Sequence, residues 1–212
     1  MLMAINPEHP EPRKIARAVQ LLEAGEVIAY PTDTVYGLGC DALNKKAIDK
    51  LYAIKGMERS HPLAFICPDL GDIARFAIVE KVQYRILRSL LPGPYCFILD
   101  ATREVPKILQ SKRKTVGIRV PAHEVTIALT RALGRPLVST TAQRHRRAAP
   151  DQETGGDDKP FVDPREIDYA FPGLALVLDA GGGGELPSTV IDVTSMPPVV
   201  LREGAGPVVA IA

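Results

Sequence analysis

The sequence predicts a single α/β domain in which a mixed sheet is covered by helices, and three observations carry that prediction. Segments with helical periodicity alternate with short, β-rich apolar segments along most of the chain. Apolar strand patterns then accumulate at residues 174–178, 189–193 and 199–202, which favours a mixed sheet over a purely parallel one. Hydrophobic residues make up 46% of the 212 and charged residues 24%, the balance of an ordinary globular protein with one sizeable core.

Residues 11–25 place Ile15, Ala18, Val19 and Leu22 on one helical face, with Gly25 as the stop. Residues 26–30 (EVIAY) are a strand that runs into Pro31, and proline suits the end of a strand better than its middle. The alternation continues as a helix at 45–54, a strand at 63–67, a helix at 80–90, a strand at 96–99 and a short helix at 105–110. A strand at 115–120 (TVGIRV), a helix at 123–133 and a strand at 136–140 follow. Residues 144–164 (RHRRAAPDQETGGDDKPFVDP) are polar and rich in turn formers, and read as a flexible loop. The four glycines at 181–184 read as a loose turn, not a phosphate loop, because no helix pattern follows them. There is no internal repeat.

No apolar run approaches the roughly 18 residues that a membrane-spanning helix needs, and MLMAINPEHPEPRK lacks the apolar core of a signal peptide. The expectation is a cytoplasmic protein without a membrane partner. Cys40, Cys67 and Cys96 sit in apolar surroundings without the paired spacing of a metal or redox site, so buried reduced thiols are expected. Net charge is +1, but residues 101–147 hold 11 Lys or Arg against 2 Asp or Glu, a surplus of +9 that leaves −8 elsewhere. A solvated face is the ordinary outcome of such a run, and a phosphate-receiving surface the sharper one.

Strand ends that empty into hydroxyl-rich turns are the most informative feature, because ligands of open α/β sheets gather where strands finish. Three such turns occur: Thr32, Asp33 and Thr34 after EVIAY, then Ser139, Thr140, Thr141 and Gln143 after PLV, and Ser188 with Thr189 before a late strand. Hydroxyls and backbone amides bind carboxylates or phosphates without needing a charge. Cations are the second ingredient, at Lys55, Arg59, Lys112, Arg113, Lys114, Arg119 and Arg202. Arg119 lies in an apolar strand, where a charge needs a partner or a ligand, and a structural ion pair is the plain alternative for it and for Arg202. There is no Ser-His-Asp spacing, nucleophile elbow, HExxH or Walker-type loop, so a reaction here would rely on positioning and charge stabilisation. His9, His123 and His145 read as solvated, leaving His61 as the one histidine in suggestive company.

Six motifs then occur in order: PTDTVYGLG after a strand, KGMERSHPL, TVGIRVP, the TAQ turn, PSTVIDV and LREGAG. Together they resemble the YrdC/YciO family over nearly the whole chain, and KRKTVGIRVP is closest to the YciO branch. The resemblance implies a YrdC-like single domain over residues 1–212, with a twisted mixed sheet flanked by helices and a concave basic surface. In the synthase branch it implies conversion of L-threonine, bicarbonate and ATP, accompanied by magnesium, into threonylcarbamoyl-adenylate and pyrophosphate for tRNA modification. By motif, Thr34, Arg119 and Ser188 fall on the substrate side, with Thr32 and Ser139 as candidates beside them. Lys55, Thr115, Thr141 and Arg202 fall on the nucleotide side, with Arg59 and Gln143 as candidates beside them.

The sequence departs from the synthase pattern at four positions. Met57 stands where synthases have arginine, His61 where they have asparagine, Ile66 where they have histidine, and Gln143 where the serine-alanine-asparagine turn ends in asparagine. Arg59 is two residues along from Met57, and Thr141 keeps the hydroxyl of the serine. Three function classes follow: a nucleotide-dependent synthase, a double-stranded RNA or tRNA-binding module without synthase activity, and an anion-binding paralogue with a regulatory role. Few aromatics accompany the basic residues, which disfavours base stacking on single strands.

Overall fold

The computed structural model describes residues 1–144 and 159–208. In chain order the elements are β1 (Leu2–Ala4), α1 (Pro12–Glu23), β2 (Ile28–Tyr30), β3 (Gly37–Asp41), α2 (Lys45–Lys55) and β4 (Ala64–Ile66). Next come α3 (Leu70–Phe76), β5 (Ala77–Ile78), α4 (Lys81–Leu90), β6 (Tyr95–Ala101), a 3-10 turn (Lys107–Leu109) and β7 (Thr115–Arg119). Last are α5 (Glu124–Leu133), β8 (Leu137–Thr141), α6 (Pro164–Ala170), β9 (Leu176–Asp179), β10 (Thr189–Asp192) and β11 (Val199–Arg202). All strands join one sheet, in the order β1-β9-β2-β3-β8-β4-β7-β6-β10-β11, with β5 paired to β6. The pairs β1/β9, β2/β9, β4/β7 and β6/β10 are parallel, and the remainder are antiparallel. The result is a single-domain α/β fold, a mixed sheet flanked by six helices, as the alternation of patterns predicts.

Strand alternation divides the core into two layers. On β2, Ile28 and Tyr30 point to the face covered by α1 and α5, whose Ala18, Leu22, Val125 and Leu129 pack there. Val27 and Ala29 point to the opposite face, where α2, α3 and α4 add Leu51, Phe76 and Leu87. Helix α1 begins at Pro12, where proline's missing N–H costs nothing, and Gly25 follows it at φ +84°, a conformation that side chains disfavour. Helix α2 is capped by the Asn44 side chain, which accepts from Ala47 N, and ends at Gly56 in the left-handed region.

Several elements differ from the sequence reading. Residues 37–41, of which Gly37, Leu38 and Gly39 close the PTDTVYGLG segment read as a turn, are strand β3. Gly37 and Gly39 face Tyr30 there: an added Cβ would lie 3.0 Å from Tyr30 Cζ at the first and 2.8 Å from Cε1 at the second. The strand is glycine-rich because an aromatic ring fills that space, and glycine carries no strand signal of its own. Short β1 and β5, and the seven-residue α3, were not anticipated. The expected loop at 144–164 falls mostly on residues 145–158, outside the described residues, and Pro164 already opens α6, where Asp163 accepts from Arg165 N. Between β10 and β11 the register shifts at Val190/Ile191, a β-bulge. Among the described residues no helix is long and apolar enough to cross a membrane.

Cys40, Cys67 and Cys96 are all buried and free. Burial pushes the Cys67 thiol up to about 12 and raises Cys40 and Cys96 as well, so little nucleophilic thiolate exists near neutrality. A disulfide reagent such as DTNB should therefore label none of the three thiols promptly in the native protein and all of them after denaturation. Prompt native labelling would place a cysteine at the surface.

Candidate functional site

Helices α1 and α5 bury side chains of β2, β4, β8 and β9 and do not extend over the same face of β7, β6 and β10, which no other helix of the described residues covers. Val116 and Ile118 of β7, and Phe97 and Leu99 of β6, belong to the other core layer. By alternation Thr115, Gly117 and Arg119, together with Cys96 and Ile98, line the uncovered face. Ala64 sits beside Gly117, and a Cβ on Gly117 would meet Cys96 Sγ at 3.2 Å and Ile98 Cδ1 at 3.4 Å. The floor of this groove is built from small side chains.

Register sets what stands on either side of the floor. Phe97 pairs with Ile118, so the next rung puts Arg119 beside Cys96; Cys96 pairs with Val190, and Val190 with Arg202. Arg119 and Arg202 are thus three strands apart, roughly 14 Å between backbones at ~4.8 Å per strand. Both guanidiniums reach the Cys96 thiol electrostatically: burial raises its pKa, while Arg119 and then Arg202 oppose the rise.

Arg119 is buried and held by the turn after β2. Its Nη2 donates to Asp33 Oδ1 at 2.9 Å and Thr34 Oγ1 at 3.1 Å, and Asp33 Oδ2 accepts from Ala122 N at 3.1 Å. The Arg119 and Asp33 side chains are 10% and 9% exposed, and Arg119 Nε is buried with no hydrogen bond among the described residues. The turn is shaped by its own hydroxyls: Thr32 Oγ1 donates to Val35 O at 2.7 Å and accepts from Thr34 N at 3.1 Å. Thr126 Oγ1 donates to Pro31 O at 2.6 Å and fastens the turn to α5. Below it, Tyr30 OH donates to Ser139 Oγ at 2.6 Å, and Ser139 Oγ to Leu38 O at 3.2 Å. Burial pushes the Tyr30 phenol up to about 12, with the Ser139 bond and Arg119 pulling the other way.

At the far end of β7, four residues or ~13 Å from Arg119, Thr115 bonds Ser111 Oγ at 2.7 Å. The exposed turn Lys112, Arg113 and Lys114 enters the sheet here. Thr141 lies on this side too, since it pairs with Gly37 and the register runs two residues beyond Ser139, which pairs with Ala64. Lys55, 5% exposed, donates to Thr141 O at 2.7 Å and to Gln143 O, with its charge over the Phe171 ring at 5.7 Å. Arg202 Nη2 donates to Ser188 O at 2.8 Å.

The sequence-predicted residues thus fall into three groups: Thr32, Thr34 and Arg119; Ser188 and Arg202; and Lys55, Thr141 and Gln143, with Thr115 on the same side. Ser139 is engaged beneath the turn. Arg59 stands apart, exposed and paired with Asp49 at 2.9 Å, while Met57 is buried with its sulfur 3.9 Å from Thr140 Oγ1. Tyr30 was not singled out in the sequence, and Asp33 was named only as a member of its turn; the signal for its role was the need of a strand-borne Arg119 for an acid. His123, read as solvated, is half-buried with Nδ1 enclosed and unbonded among the described residues. Burial lowers its pKa below the ordinary 6.5, opposed by Asp33 and Glu124. No cluster among the described residues could hold a metal ion.

Fold and groove define an α/β protein with a hydroxyl- and guanidinium-lined cleft on the uncovered half of a mixed sheet. Residues 20–204 match the Sua5/YciO/YrdC family, described as "Telomere recombination", and the chain belongs to that family. It is 38% identical over 206 residues to the uncharacterized protein YciO of Escherichia coli, covering 96% of this chain and 95% of that one. The mouse threonylcarbamoyl-AMP synthase is 33% identical over 184 residues, 84% of this chain and 61% of the synthase. The crystal structure of E. coli YciO superposes with a TM-score of 0.89 at 36% identity, covering 100% of this chain and 99% of that one. Sua5 of Pyrococcus abyssi complexed with L-threonine superposes with a TM-score of 0.83 at 27% identity, covering 96% of this chain and 57% of that one.

Removing one member of a buried pair strands the other charge, so Asp33→Ala should cost about 3–5 kcal/mol in urea unfolding. The double variant Asp33→Ala/Arg119→Met should recover much of that loss, and equal losses in both would show that the pair is not the cause. His123 gives a second expectation. Its folded pKa lies below 6.5, so the unfolded chain binds the extra proton in the window from 6.5 down to the folded value. Stability therefore rises with pH across that window and is lost as pH falls through it. His123→Asn should flatten the stability profile just below 6.5, and an unchanged slope would exclude the imidazole as its source.

Proposed function

We propose that the chain is a cytoplasmic, nucleotide-dependent enzyme that makes threonylcarbamoyl-adenylate and pyrophosphate from L-threonine, bicarbonate and ATP, supplying an activated donor for tRNA modification. The observation that carries this reading is the groove with Arg119, Asp33 and Thr34 at one end and Thr115, Thr141 and the Lys55-bound turn at the other. Arg119 Nε suits a carboxylate, which takes planar guanidinium donors well. The hydroxyls of Thr32, Thr34 and Ser188 suit the polar groups of a small amino acid, and Arg202 and the Thr141–Gln143 turn suit a nucleotide. The superposition on a Sua5 that holds L-threonine supports the amino-acid end.

In this reading the threonine amine and bicarbonate combine with loss of water to give a carbamate. A carbamate oxygen attacks the α-phosphorus of ATP, and the bond to the β-phosphate breaks. Pyrophosphate leaves with the bonding electrons, accompanied by magnesium that entered with the nucleotide. The chain positions the reactants and meets developing charge with Arg119 and Arg202, with no nucleophilic side chain required. Met57 and Gln143 bear on the phosphate end: one removes a guanidinium, and the other lengthens an amide by a methylene.

A second reading, a double-stranded RNA or tRNA-binding protein without turnover, is favoured by the exposed Lys112, Arg113 and Lys114 where β7 begins. The deciding assay is pyrophosphate release from ATP with L-threonine, bicarbonate and magnesium, against a control lacking threonine. Threonine-dependent release is the expected outcome. No release while ATP still raises the melting temperature would turn the argument to the RNA-binding reading.

A further inference from the structure

Residues 181–184 lie directly on the turn that holds Arg119. Gly184 N donates to Thr34 O at 2.8 Å, and Gly183 N to Val162 O at 2.9 Å. The Tyr36 hydroxyl accepts from Ala180 N at 3.1 Å and donates to Gly181 O at 2.8 Å. The approach excludes side chains. A Cβ on Gly184 would lie 2.1 Å from Thr34 O, and one on Gly183 would lie 2.7 Å from Tyr36 Cδ2. The conflict at Gly184 is with backbone, which cannot swing aside, and Tyr36 is only 1% exposed. Four residues beyond Gly184 comes Ser188, whose carbonyl holds Arg202. That connection spans at most ~14 Å.

We infer that the glycine run is a strap that positions the amino-acid end of the groove: it fixes Thr34 against Arg119 and sets the spacing to the Ser188–Arg202 pair. Gly184 and Tyr36 are positioning residues, because Gly184 holds Thr34 through its carbonyl and Tyr36 anchors the strap through Ala180 and Gly181. Loose, flexible glycine would not serve this purpose; here glycine is required because two backbones touch. Naming the ligand as a small hydroxy amino acid rests on the functional reading above, whereas the strap itself rests on the contacts.

The experiment is Gly184→Ala in the full-length chain, read by amide hydrogen exchange at residues 34–37 and by binding of L-threonine and of ATP measured separately. Exchange in that turn should speed up by about tenfold with the rest of the sheet unchanged, and the threonine dissociation constant should rise by about tenfold while that for ATP stays within about twofold. Unchanged exchange in the turn would overturn the inference. So would faster exchange across the whole sheet with both ligands weakened in parallel, the mark of a general loss of stability. If Gly184→Ala does not fold, Tyr36→Phe keeps the ring and removes the two phenol bonds, and should give the same local pattern at smaller size. A wild-type chain that takes up neither ligand would sink the functional reading, and the exchange pattern alone would then decide the strap.

Discussion

The buried ion pair between Arg119 and Asp33 is the interaction on which the arrangement of this groove depends. Two charges withdrawn from water are costly unless each is well satisfied. Here the carboxylate takes Arg119 on one oxygen and the Ala122 amide on the other, while the guanidinium adds the Thr34 hydroxyl. The pair joins a turn that follows β2 to the end of β7, two parts of the chain 86 residues apart. It thereby folds the hydroxyl-rich turn back over the sheet instead of leaving it at the edge. Tyr30, Ser139 and the two glycines of β3 form the bed on which that turn rests, and the small side chains of the floor keep the space beside it open.

Much of the fold was legible in the sequence because the strongest signals were periodic. Ile15, Ala18, Val19 and Leu22 recur at helical spacing and all four are buried in α1. The short apolar run at 26–30 read as a strand, and it forms β2, which is buried on both faces. What escaped had no periodic signal. Strand β3 uses glycine where strands ordinarily use branched residues, since the Tyr30 ring occupies the space. Strands of two or three residues, such as β5 and β1, are too short for alternation to show.

The site was legible as a set of ingredients and less so as an arrangement. Arg119 stood out as a cation in an apolar strand, but its choice of Asp33 among the chain's acids is a tertiary fact that no local pattern encodes. Lys55 and Arg59 read alike as cations near one turn; in the fold the first is buried against backbone carbonyls and the second points outward to Asp49. His123 shows the same limit, because its place at the start of α5 suggested solvent while the folded chain half-buries it and encloses Nδ1. The glycine run read as looseness, since composition cannot distinguish a glycine chosen for freedom from one chosen for contact.

The irregularity between β10 and β11 decides which side chain faces the groove. Val200 pairs with Ile191, and Arg202, not Leu201, pairs with Val190. With the same residues paired without that shift, strict two-residue alternation would set Leu201 over the groove and send the guanidinium to the opposite side of the sheet. The cation therefore owes its place to a frame rather than to its own identity: a β11 paired without the shift would turn a leucine toward the groove while every functional side chain stayed in the sequence.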